Sequence, residues 1–226
     1  MAALLLAPAA SAETTTIGAA ASGSLGSGAA NFTVIQRATD PASPSFAVPQ
    51  VPAGDGPWSV TSWGALGGGG DGSASLEIWR PTGTPGELQL ISIGPQQVFP
   101  TGVLTTHLVN IPVHPGDHLG ILSGPGTGFS PYYGSNPVGD EAIWPNGPTT
   151  PAVGQTIGAP SSNFYPNGGT STDRANVQAT LTSAPIVAAP APTPTTPTKK
   201  KCKKKKKKHK RSAESAKKKC KKHKRK

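Results

Sequence analysis

The chain has 226 residues, of which 28 are Gly and 25 Pro, about twice the usual share of these two residues, which argues against long helices. Charge is split rather than spread: residues 199–226 hold 17 Lys and 2 Arg against the single acid Glu214, a formal +18, while residues 1–198 hold only Arg37, Arg80 and Arg174 against ten Asp and Glu, a formal −7. A body without lysine can build neither a Schiff base nor a phosphate loop or kinase site that needs an ammonium.

In chain order, Met1 to Ala12 is a short apolar run closing on Ala10-Ser11-Ala12, directly before Glu13. It reads as the back half of a secretory signal peptide. No basic segment precedes the run, so either the natural start lies upstream of Met1 or the segment is a mobile N-terminus. No other stretch approaches the roughly 20 apolar residues that span a bilayer.

Residues 13–184 show short apolar or alternating runs cut by Gly, Pro, Asn and Asp clusters, the pattern of an all-β domain. Strands are expected at Thr14–Ala20, Asn31–Arg37, Trp58–Ala65, Ala74–Trp79, Glu87–Ile93, Val103–Ile111, His118–Ser123 and Ala175–Leu181. Leu76 and Ile78 should share one face and Glu77 and Trp79 the other. Leu88 and Leu90 alternate against Ile91 and Ile93, which predicts a bulge or burial on both faces. Gly67–Gly70 with Asp71 and Gly72 precedes no Gly-Lys-Ser/Thr and reads as a flexible turn. His114-Pro115-Gly116-Asp117 sets a tight turn, with Pro fixing φ and Gly taking positive φ. About eight strands with proline-rich loops suit two antiparallel sheets face to face, a β-sandwich of jelly-roll type. Gly124 to Asp173 is long for a structureless loop and should carry function or hidden strands.

Residues 185–198 form a Pro/Thr-rich linker, extended over roughly 40 Å in polyproline geometry, and residues 199–226 form the polycationic tail. The tail repels itself and is expected to be disordered alone in water. Lys199, Lys200, Lys201, Lys203, Lys204, Lys210, Arg211, Lys217, Lys218 and Lys219 are its polyanion-binding residues, acting through counterion release and nearly blind to sequence. The partners that fit are an anionic cell-envelope polymer, acidic glycans, anionic lipid or nucleic acid bound non-specifically. No aromatic residue is interleaved for base stacking. Both cysteines, Cys202 and Cys220, lie here, so the body has no disulfide, and pairing them requires a hairpin about Glu214 or a second molecule. A zinc site from Cys202, His209, Cys220 and His223 would have irregular spacing amid like charge.

Within the body, His107, His114 and His118 with Asp117 form the one histidine cluster, read as a polar rim because two strands and a turn carry them. No nucleophile elbow exists, Asp140 and Glu141 are adjacent rather than facing, and no catalysis, metal or cofactor is expected. Trp58, Trp63 and Trp79 fall in strand patterns and should be core. Trp144, Tyr132, Tyr133 and Tyr165 fall among Gly, Pro and Asn, either as loop anchors or as a sugar-binding platform with Asp140, Asn146, Asn163 and Asn167 as polar partners.

Two stretches carry a resemblance. The Lys-Cys-Lys run of the tail, with His-Lys-Arg-Ser-Ala-Glu-Ser-Ala and a second Lys-Lys-Lys-Cys, resembles the C-termini of uncharacterised exported β-sandwich proteins of high-GC actinobacteria of the Thermoleophilia group. The Val113-to-Ile121 stretch, Val-His-Pro-Gly-Asp-His-Leu-Gly-Ile, is similar to the sandwich domains of the same proteins. The resemblance implies an extracellular or cell-surface location and implies no activity. The expectation is an exported, envelope-associated, non-catalytic binding or structural protein held by its tail. The alternatives are a lectin-like module and a nucleic-acid-associated protein.

Overall fold

The computed structural model describes residues 12–21, 25, 30–38, 43–53, 55–134, 141–143, 150–157 and 173–185. The signal-like segment, the linker beyond Pro185 and the whole basic tail, with Cys202 and Cys220, lie outside them. The chain divides at Ala188/Ala189 into two units, and all described residues belong to the first. Regular structure in these residues is entirely β.

Thirteen strands follow one another: β1 (Thr14–Ala19), β2 (Thr33–Ala38), β3 (Asp55–Leu66), β4 (Gly72–Pro81), β5 (Leu88–Ile93), β6 (Gln97–Phe99), β7 (Leu104–Pro112), β8 (His118–Ser123), β9 (Tyr132–Gly134), β10 (Glu141–Ile143), β11 (Thr156–Ile157), β12 (Asp173–Ala175) and β13 (Val177–Pro185). Eight have six residues or more, and they are the eight expected from the sequence. The other five have two or three residues each, and three of those, β9, β10 and β11, lie in the Gly124–Asp173 stretch.

One sheet runs β1-β13-β3-β7. The larger runs β10-β2-β8-β4-β5-β11, with β6 also pairing β4, and β9 pairs β12 separately. Every pairing is antiparallel. Renumbering the long strands one to eight gives sheet orders 1-8-3-6 and 2-7-4-5. First pairs with last, second with seventh, third with sixth, fourth with fifth: a long hairpin rolled on itself, which is the jelly roll.

The space between the sheets is filled by Ile17, Trp58, Val60, Trp63, Ile111, Val177 and Leu181 from one side and Val34, Leu76, Ile78, Phe99, Leu119 and Ile121 from the other. A second cluster, Ile35, Trp79, Leu88, Leu90, Ile143 and Ile157, covers the opposite face of the larger sheet. That sheet is therefore buried on both faces, and both alternating sets of β4 side chains are inside. The alternation on β4 is as expected, with Leu76 and Ile78 in one cluster and Trp79 in the other. Against β5, Ile78 pairs Ser92 and Trp79 pairs Leu90, so Ile91 is the extra residue of a bulge. The bulge lets Ile93 pack with Leu88 and Leu90.

The Gly67–Gly70 run is a turn held by close packing rather than a free one. A Cβ on Gly67 would meet the Pro100 carbonyl oxygen at 1.9 Å, and one on Gly68 the Gly128 carbonyl oxygen at 2.6 Å. Glycine is there because two backbones touch. Asp71 Oδ1 accepts from both the Thr101 amide and its hydroxyl. The Pro115-Gly116 turn forms as expected: the Asp117 amide donates to the His114 carbonyl at 3.0 Å, with Gly116 at φ 83°, a type II turn.

Candidate functional site

Asp117 gathers three hydrogen bonds, each of 2.8 Å or less. It closes the β7–β8 turn, is 1% exposed, and accepts a fork of hydrogen bonds from Arg80 at 2.7 and 2.8 Å. Its second oxygen also accepts the His114 amide at 2.8 Å. The turn thus serves as a socket for the guanidinium at the end of β4, and bidentate pairing fixes both partners.

The three histidines do not converge. His107, on β7, lies against Phe99 edge-on at 5.1 Å and Trp63 at 6.2 Å, with Nε2 3.2 Å from the Val98 carbonyl oxygen. His114 is exposed in the turn. His118 donates from Nδ1 to the Gln36 carbonyl at 3.0 Å; burial lowers its pKa, opposed by that carbonyl and by Asp117. Among the described residues, no group of three or more His, Cys, Asp or Glu is placed to hold a metal ion.

Glu77 is fully buried near the middle of the larger sheet. Thr33 Oγ1 lies 3.2 Å from one carboxyl oxygen and Trp79 Nε1 donates to the other at 3.0 Å. Trp79 reaches it by folding over Gly120, where a Cβ would stand 2.8 Å from the indole. Burial dominates the two hydrogen bonds and pushes the Glu77 carboxyl up from 4.5 to about 8, so the neutral acid is the resting form at neutral pH. Its surroundings are packed sheet, which suits a structural acid.

Asn176, the single residue between β12 and β13, is a junction that sequence reading missed. It is fully buried. Its Oδ1 accepts the Ala21 and Leu66 amides at 3.0 and 3.2 Å, and its Nδ2 donates to the Leu66 and Ser130 carbonyls at 2.8 and 2.9 Å. The side chain fills its hydrogen-bonding capacity and ties three segments to β13. An Asn inside the run Ala175–Leu181, where strands disfavour it, was the available signal.

The expected aromatic site is described only in part. Tyr132 is half-buried against the main core, 6.3 Å from the Phe32 ring. Tyr133 is 9% exposed, opposite Arg174 on β12 and bridged to Leu25. Both are anchors, because pairing with β12 covers a segment that looked like open loop. Trp144, Tyr165, Asp140, Asn146, Asn163 and Asn167 lie outside the described residues. Trp58, Trp63 and Trp79 are core, as expected.

No known family, curated protein or solved structure matches this chain. Function has to be read from the surface itself. The outward face of the smaller sheet aligns Thr14 with Thr182 and Thr16 with Thr180, then Thr182 with Ser59 and Thr180 with Ser62, then Ser62 with Leu108 and Gly64 with Thr106. Thr61, set in a bulge, bonds to the Thr180 carbonyl and lies 3.2 Å from the Thr182 hydroxyl oxygen. These positions carry no formal charge. Their signal was the run Thr14-Thr15-Thr16 and the alternation of Thr180-Leu181-Thr182. No helix among the described residues is long and apolar enough to cross a membrane.

Proposed function

We propose that this is an exported, non-catalytic binding or structural protein, held at the cell envelope by its basic tail while the jelly roll is displayed outward. The observation that carries this reading is the charge partition, +18 within 28 residues against −7 in the rest of the chain. A polyanion gains counterion-release energy only at the tail. The disposition of the body's cations supports the same division. Arg80 is committed to Asp117, Arg174 is buried and donates to the Ser43 hydroxyl, and Arg37 also has a partner. The body offers instead an uncharged hydroxyl-lined face, suited to neutral polar surfaces. The burial of Tyr132 and Tyr133 weighs against a lectin site built on that pair.

The test is co-sedimentation with purified bacterial cell wall across a salt series, comparing the full chain with one ending at Thr198. The expected result is that only the full chain sediments, and that salt releases it. Equal binding by the shortened chain would overturn the anchor.

A further inference from the structure

A sheet edge presents unpaired amide and carbonyl groups, and proteins protect such edges by shortening, covering or charging them. The two sheets have four edges, and three of them follow this rule. The larger sheet ends on β10 and β11, of three and two residues. At β1, the Gly18 amide donates to the Ser45 carbonyl at 2.6 Å, and Gly18 sits at φ 74°, so that edge is covered and bent.

The fourth edge, β7, is protected least: it ends in Pro112 and shifts register against β3 just past Leu108, but it is long and uncharged. It has nine residues, about 30 Å of strand, and among the described residues β3 is its one strand partner. Residues 88–116 contain no Asp, Glu, Lys or Arg at all. Of the five large apolar side chains exposed in the described residues, four flank this edge: Val98, Val103, Leu104 and Leu108, the last 87% exposed.

We infer that β7 pairs antiparallel with β7 of a second copy about a two-fold axis at Leu108, joining two four-stranded sheets into one of eight. An isologous contact requires a surface complementary to itself, and a strand free of charge meets its own copy without the like-charge repulsion that opposes cross-strand pairs. The axis at Leu108 sets the two most exposed apolar side chains side by side and places Leu104 opposite Pro112 of the second copy. Pairing over this length offers up to about eight backbone hydrogen bonds, within the range of a stable interface. The antiparallel arrangement also sends the Pro185 ends of the two copies to opposite ends of the joined sheet.

The experiment is sedimentation equilibrium of the full chain carrying Cys202→Ser and Cys220→Ser, in high salt, from about 1 to 100 µM. A concentration-dependent dimer is expected. Leu108→Lys, at a position too exposed to disturb folding, should weaken it at least tenfold, while Thr16→Lys on the exposed face of β1 should leave it unchanged. Leu108→Cys in the same background should form a disulfide-linked dimer on mild oxidation, since facing strand residues lie within disulfide reach. A monomer throughout the range, or equal dimerisation by the Leu108→Lys and Thr16→Lys variants, overturns the proposal. A dimer that Leu108→Cys fails to cross-link overturns the axis at Leu108.

Discussion

Replacing Asn176 by Ala removes four hydrogen bonds at once and strands the backbone groups of Ala21, Leu66 and Ser130 that they served. A buried intramolecular hydrogen bond contributes roughly 0.5–1.5 kcal/mol net, and a buried group left without a partner costs more than the bond gave. Four bonds therefore set the loss at about 2–6 kcal/mol, with the upper half favoured because the partners remain buried. For a domain of this size each kcal/mol lowers the melting midpoint by roughly 2–4 °C, so a fall of about 8–24 °C is expected in thermal melts followed by circular dichroism. Asn176→Asp retains the accepting oxygen but gives up both donors and adds a charge, and should cost at least as much at neutral pH. Gln50→Ala, at an exposed position outside the strands, is the matching surface change and should stay within about 0.5 kcal/mol. If Asn176→Ala costs less than about 1 kcal/mol, Asn176 is not a junction and the reasoning fails.

Two further substitutions test the buried carboxyl groups. Glu77 holds its proton in the folded chain up to about pH 8 but loses it near 4.5 when unfolded, so stability contributed by this group falls as pH rises through that window, by roughly 1.4 kcal/mol per pH unit. Glu77→Gln should remove the slope, read as urea midpoints of the two proteins at pH 5, 6.5 and 8; parallel profiles would count against the buried neutral acid. Arg80→Ala leaves Asp117 buried without its fork and should lower stability by about 2–3 kcal/mol, with Arg80→Lys recovering only part because an ammonium has no fork. Full recovery by lysine in a denaturant titration would show that geometry is unimportant there.

All eight long strands could be read from the chain because each is a run of six or more residues, long enough for alternation to register. The Ile91 bulge was legible too, from apolar residues on both faces of one strand. Strands of two or three residues carry no period: Gln97–Phe99 is hemmed by Pro95 and Pro100 and exists because β4 offers it a partner. The rolled order of the strands was hidden for the same reason, since nothing in β1 identifies β13 as its neighbour. At the candidate site, the charge split was legible in the tail, and the turn residues marked Asp117, but as part of a polar rim rather than as the buried socket of Arg80, whose partner lies 37 residues away. Tyr133 lies on β9, whose partner β12 is some 40 residues away in the chain, and the four bonds of Asn176 join segments separated by up to 155 residues. Local pattern holds no record of such partners.

The pairing of the first long strand with the last also sets a schedule. Thr14 faces Thr182, and β13 lies between β1 and β3, so the smaller sheet has a gap until the end of the body has been made. At about 5–20 residues per second, β1 waits roughly 10–30 s on the ribosome for its partner. Long-range closure of this kind slows folding, and the smaller sheet cannot close until its last long strand has been made.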